Sequence, residues 1–169
     1  LSSCKNEHSN LPDGLFAEIA TNKGNIIVKL NPEKAPITVA NFVSLAEGKN
    51  TFVKNQFEGK PFYDGLKFHR VISAFMIQGG DPDSKNATPG QPLGMGGPGY
   101  TVDAEINSKF FHEKGALSAA RLGDGQNPTK ASSGSQFYIV QGTIVPVGDA
   151  DALKIDQFKL NAAFQKIVQ

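Results

Sequence analysis

A chain of 169 residues is long enough for one domain with a real core and too short for two comfortable ones. Its 17 basic residues nearly balance its 16 acidic ones and form no basic run, so nucleic-acid binding has no electrostatic support. Hydrophobic content of 39% with 20% charged residues is ordinary globular composition, and 18 glycines with 10 prolines imply short strands and many turns rather than a helical bundle.

The only cysteine is Cys4, which excludes an intrachain disulfide. Leu1-Ser2-Ser3-Cys4 resembles the end of a bacterial lipoprotein signal, in which the cysteine is lipidated. A chain from which such a signal has been left off is expected to lack an initiator Met, as this one does. The alternative is a free thiol on a frayed terminus. Residues 1–14 read as a polar N-terminal tether. No stretch approaches the roughly 20 apolar residues of a membrane-spanning helix, so membrane attachment is expected only through an anchor. The resulting expectation is a bacterial cell-envelope protein on the periplasmic side or surface.

Leu15 to Thr21 and Asn25 to Asn31 flank the turn-forming Asn22-Lys23-Gly24, which predicts a β-hairpin. Pro32 ends its second strand. Pro36 suits a first helical turn, Thr38 is a candidate cap, and Val39, Phe42, Val43 and Ala46 fall at helical spacing. Gly48 stops this helix, whose single apolar face predicts that it covers an open end of a sheet or barrel. Residues 50–64 read as a connecting loop.

From Phe68 to Asp81 the sequence is Phe-His-Arg-Val-Ile-Ser-Ala-Phe-Met-Ile-Gln-Gly-Gly-Asp. Strand alternation places Phe68, Arg70 and Ile72 on one face and His69 and Val71 on the other. His69 therefore reads as structural. Arg70 stands among apolar neighbours, where a lone arginine usually snorkels or pairs with a carboxylate. After a Ser73-Ala74 turn, Phe75, Met76 and Gln78 offer a ring, a thioether and an amide within a few residues, and Gly79-Gly80 permits a sharp turn. Residues 83–100 form a glycine-rich loop that lacks the lysine-serine/threonine pair of a nucleotide site, so a surface on which a peptide could lie is the better reading.

Residues 115–120 carry small side chains, and residues 134–140 form the next strand, with Gln136 and Tyr138 on one face and Phe137 and Ile139 on the other. Past Thr143 the pattern turns helical, with Leu153, Leu160, Phe164 and Ile167 sharing a face. His8 and His112 have no metal-ligand spacing to each other or to Cys4, and no Gly-x-Ser-x-Gly elbow supports a hydrolase. Neither a metal nor any other cofactor is expected.

The Phe68–Asp81 segment, together with Gly115-Ala116-Leu117-Ser118-Ala119-Ala120-Arg121 and Ser132-Ser133-Gly134-Ser135-Gln136-Phe137-Tyr138-Ile139, resembles the cyclophilin family of peptidyl-prolyl isomerases over residues 15–142. The resemblance implies a mainly β fold, a cyclophilin-like antiparallel β-barrel, complete or incomplete, with one covering helix and a C-terminal helix. It implies three parts: the tether 1–14, a cyclophilin-like domain 15–142 and a helical extension or insertion 143–169. It also implies that Arg70 is the catalytic donor and that Phe75, Met76 and Tyr138 seat the proline ring. Gln78 and Gln136 would then bond the substrate backbone, with Gln78 counted with Arg70 and Phe75 among the catalytic groups, while Ala120 and Arg121 line the groove. Implied partners are proline-containing peptides, unfolded or folding proteins and cyclosporin-type ligands.

The chemistry fits those residue types. Rotation about an Xaa-Pro bond breaks amide resonance, at a barrier of roughly 18–20 kcal/mol. Water stabilises the charge-separated planar amide, so an apolar seat removes part of that advantage, and the twisted nitrogen regains a lone pair that can accept a hydrogen bond. A guanidinium supplies a permanent donor on a rigid plane. No nucleophile, metal or general base is required.

The sequence departs from the family after Gln141, where a Trp-Leu-Asp-Gly-x-His stretch, another helix and a closing strand are usual; this chain has no tryptophan. Arg121 and Tyr138 stand where many relatives have asparagine and phenylalanine. A fragment of a longer reading frame is the favoured expectation, with a short relative whose terminal helix covers the gap as the alternative. Two other functions stay open: a proline-peptide binding module with an incomplete pocket, and an interaction domain that uses exposed strand edges.

Overall fold

The computed structural model describes residues 10–142. Cys4, most of the expected tether and the expected helix of 143–169 lie outside the described residues. The first elements are the expected hairpin, β1 (Leu15–Thr21) and β2 (Gly24–Leu30), paired antiparallel from Leu15↔Leu30 to Thr21↔Gly24. Thr21 closes the turn: its hydroxyl donates to Gly24 O at 2.7 Å and accepts the Lys23 N–H at 3.0 Å. Opposed residues share a face, so Ala17, Ile26, Val28 and Leu30 turn together toward the core.

Helix α1 (Pro36–Ala46) packs Val39, Phe42 and Val43 against that face, with Leu117 joining the cluster. Pro36 occupies the first turn as expected, but Thr38 is not the cap. Ala35 holds the N-cap position without a side-chain bond, and Glu105 approaches from elsewhere in the chain to accept the Ile37 and Thr38 N–H groups at 3.0 and 2.7 Å. Leu45 is fully buried while Ala46 is exposed, a shift from the expected stripe. The 50–64 connection explains it: this segment folds against the last helical turn, where Phe62 N–H donates to Leu45 O at 2.9 Å.

The remaining strands are β3 (Arg70–Ile72), β4 (Met76–Gly79), β5 (Thr101–Val102), β6 (Leu117–Ala119), β7 (Ser132–Ser133) and β8 (Phe137–Val140). Four of them form an antiparallel sheet in the order β3-β4-β8-β6, and β5 pairs separately with β7. The architecture is mainly β with one covering helix. Among the described residues no ladder joins the hairpin to the four-stranded sheet, so the barrel is not closed.

Phe137 is the aromatic hub behind the sheet. Its ring lies 5.7 Å from Phe42, 5.7 Å from Tyr63 and 6.1 Å from Phe68, each close to edge-on. Phe68 thus faces the core, not the side of Arg70 as strict alternation predicts, because regular strand geometry begins only at Arg70. Tyr63 is half-buried against this cluster and donates to Ser135 O at 3.2 Å; desolvation first, and Tyr100 second, push its phenol far above the ordinary range.

Candidate active site

On the face opposite Phe137, register brings residues distant in sequence into one row. Arg70 pairs with Gln78, Gln78 with Tyr138, and Tyr138 with Ser118, so these four side chains cross the sheet side by side. The next row on that face runs Ile72, Met76, Val140. The face is therefore polar along one row and apolar along the next.

The turn from β3 to β4 places the ring of Phe75. Phe75 N–H donates to Ile72 O at 3.1 Å, and Ala74 takes a left-handed φ of 58°, uncommon for a residue with a Cβ. Phe75 O accepts the Gln141 N–H at 2.8 Å, which fastens the turn to the end of β8. The Phe75 ring is half exposed and lies 6.4 Å from the Tyr138 ring, while Met76 is only 2% exposed and forms the floor beside them. His112, with no role expected from sequence, completes the rim: its ring is 5.6 Å from Tyr138, and its Nε2 lies 3.2 Å from the Tyr138 hydroxyl. Only its place in space reveals it, since 26 residues separate the two.

The polar groups form a continuous chain. Arg70 Nη1 donates to Gln78 Oε1 at 3.2 Å, and Gln78 Nε2 donates to Gln136 Oε1 at 2.9 Å. Gln136 Nε2 in turn donates to Gly94 O at 2.9 Å and Gly96 O at 2.8 Å. Arg70 itself is exposed and has no carboxylate partner among the described residues. Its guanidinium is neither withdrawn nor neutralised.

Two of the expected peptide contacts are spent internally. Gln136 is only 5% exposed and commits its amide nitrogen to the 94–96 loop, so it holds Gln78 rather than offering donors to a peptide. Ala120 is buried, with its N–H on Gln136 O at 2.9 Å and its carbonyl accepting Ser133 N–H at 2.7 Å. An added strand finds nothing free there. Arg121, one residue on, has no backbone hydrogen-bond partner among the described residues, and its side chain turns back onto Leu122 O and Asp124. That guanidinium, through its hydrogen bond and then its charge, holds the Asp124 carboxyl below the usual range.

Both ring nitrogens of His69 are buried without a hydrogen-bond partner, and a Cβ at Gly94 would lie 3.9 Å from Nε2. Arg70, Phe75, Gln78, Gln136, Tyr138, Ala120 and Arg121 line one open cavity of about 1910 Å³, whose other wall includes Val28 and Leu30. That volume exceeds the roughly 300–1,000 Å³ of a small-molecule pocket, so the row of side chains locates the site better than the outline does. No cluster of three or more metal-ligating side chains occurs among the described residues.

The family model of the cyclophilin type peptidyl-prolyl cis-trans isomerase/CLD matches residues 16–166, past the point where the sequence resemblance fades. Peptidyl-prolyl cis-trans isomerase A of Mycobacterium tuberculosis is 43% identical over 130 residues, covering 75% of this chain and 64% of the relative. Peptidyl-prolyl cis-trans isomerase B of Streptomyces anulatus is 41% identical over 133 residues, covering 76% and 68%. Among solved structures, a Cryptosporidium parvum cyclophilin type isomerase, crystallised in the presence of the dipeptide Ala-Pro, aligns with a TM-score of 0.55 at 26% identity over 77% of this chain and 70% of its own. The Mimivirus cyclophilin aligns at 0.52 and 26% identity over 87% and 72%. The chain spans about 64% of the length of the mycobacterial relative.

Proposed function

This chain belongs to the family of cyclophilin-type peptidyl-prolyl cis-trans isomerases, and from that premise we propose that it accelerates rotation about Xaa-Pro bonds in other polypeptides. The observation that carries the proposal is the pairing of Arg70 with Gln78 at 3.2 Å beside the Phe75–Tyr138 ring pair. A proline ring resting on Phe75 and Tyr138, above Met76, leaves water and with it part of the stabilisation of the planar amide. Arg70 then donates to the prolyl nitrogen as it becomes pyramidal. Gln78 fixes the plane of the guanidinium, so little reorganisation accompanies the step. The backbone of Arg121 is the natural partner for the peptide main chain, in the manner of strand addition.

The substrate class is a proline in an exposed, extended segment, as in a folding protein, and a cyclic apolar peptide of the cyclosporin type would compete for the same seat. We read Cys4 as a lipid attachment point on the strength of Leu1-Ser2-Ser3-Cys4; an isomerase anchored in this way would act at the bacterial cell envelope. Radiolabelled palmitate incorporated by the full-length precursor, and lost in Cys4→Ala, is the result this reading requires.

Magnetisation-exchange NMR on an Ala-Pro peptide tests the activity. Cis/trans exchange well above the uncatalysed rate is expected. Chemical-shift changes without faster exchange would leave a binding module, and neither effect would leave an interaction domain.

A further inference from the structure

Asp81 has no part in the chemistry proposed above, yet it is completely buried, at 0% exposure. Both of its oxygens accept hydrogen bonds from backbone N–H groups. Oδ1 accepts Asp83 N–H at 2.9 Å, while Oδ2 accepts Gly94 N–H at 2.5 Å and Gly96 N–H at 3.4 Å. A Cβ at Gly96 would collide with Oδ1, so only glycine allows the loop this close. Burying a carboxylate is costly unless it is hydrogen-bonded, and here the bonds gather one short stretch of loop.

The consequence runs through donor and acceptor polarity. Because Asp81 can only accept, it takes the N–H groups of Gly94 and Gly96, and the carbonyls of these same two residues both meet Gln136 Nε2. Two acceptors at that end of the amide fix which end is nitrogen. Gln136 must then present its oxygen to Gln78, and Gln78 must present its nitrogen to Gln136 and its oxygen to Arg70. Reversing either amide would set donor against donor or acceptor against acceptor.

Resting on the isomerase reading, we propose that Asp81 is a positioning residue for the reaction: it clamps the Gly94–Gly96 loop so that the Gln136–Gln78 relay holds the Arg70 guanidinium in its productive plane. Asp81→Asn keeps the shape but satisfies only one of the two groups of N–H donors. The expected result is a kcat at least about tenfold lower with KM changed less than about twofold, since the proline seat is untouched. In a Gln78→Ala background the same substitution should change kcat by less than about twofold, because the relay is already cut. Equal losses in both backgrounds would overturn the proposal and leave Asp81 as scaffold only.

A second measurement needs neither a variant nor activity. In the unmodified chain, the side-chain amide protons of Gln78 and Gln136 should exchange with solvent at least about tenfold more slowly than those of exposed Gln126. Comparable exchange overturns the relay, even where Asp81→Asn fails to fold. Slow exchange in a chain without isomerase activity would retain the relay and remove the isomerase reading instead.

Discussion

The Glu105 carboxylate accepts the Thr38 N–H at 2.7 Å and the Ile37 N–H at 3.0 Å, capping α1 from 67 residues away. Burial alone would raise this carboxyl, but the backbone bonds from Thr38 and Ile37, helped by the Thr38 side chain, outweigh it and hold it below its ordinary value of 4.5. The folded state therefore favours the ionised form. Its contribution is fully present above the ordinary carboxylate range and is lost as pH falls through the lowered value. Glu105→Gln keeps one accepting oxygen but loses the other and the charge, and should cost about 0.3–1 kcal/mol at pH 7. Urea denaturation at pH 7 and at pH 3 checks this: the gap between the two proteins should narrow at the lower pH.

Arg70→Ala should lower kcat/KM at least about 100-fold, equivalent to about 2.7 kcal/mol of transition-state stabilisation. Because Arg70 is exposed and packs no core, stability should change by no more than about 0.5 kcal/mol. Arg70→Lys keeps the charge but loses the planar guanidinium whose Nη1 donates to Gln78, so it should recover only part of the rate. Parallel rate and thermal-melt measurements check both statements. Retained activity in Arg70→Ala would remove this residue from its role.

The hairpin, α1 and the strands about Arg70 and Tyr138 were legible because each rests on local signals: a turn tripeptide, a 3.6-residue stripe, and two-residue alternation. What the sequence hid is non-local. The cap on α1 comes from Glu105, the burial of Leu45 from a loop folding back, and the rim over Tyr138 from His112. Alternation also misplaced Phe68, since it presumes a strand that begins only two residues later. Gln136 looked like a groove amide, but its environment is decided by the conformation of the 94–96 loop, which periodicity cannot reach.

Gly80 should be intolerant of any side chain. Its φ of +88° disfavours L residues, and a Cβ would collide with Ser135 O and come within 2.8 Å of Gln136 Cα. Two backbone segments meet there, also joined by Ser135 Oγ donating to Gly80 O at 2.7 Å. Gly80→Ala should destabilise by at least about 2 kcal/mol, as strain and overpacking combine. Gly123→Ala is the control: a Cβ there meets nothing within 4 Å, and its stability should match the parent within about 0.5 kcal/mol.

Tyr138 offers the proposed proline seat a ring and a hydroxyl, and the two can be separated. Tyr138→Phe keeps the ring beside Phe75, at 6.4 Å, and removes only the contact with His112 Nε2 at 3.2 Å. That contact is exposed, so its loss should change kcat/KM by less than about fivefold, on the order of 1 kcal/mol. Tyr138→Ala removes the apolar wall itself and should raise KM for a proline peptide while lowering kcat, because the seat both binds the ring and excludes water. His112→Ala should match Tyr138→Phe and add nothing to it in the double variant if the hydroxyl and imidazole act only on each other. Additive losses would instead mean that His112 touches the peptide directly.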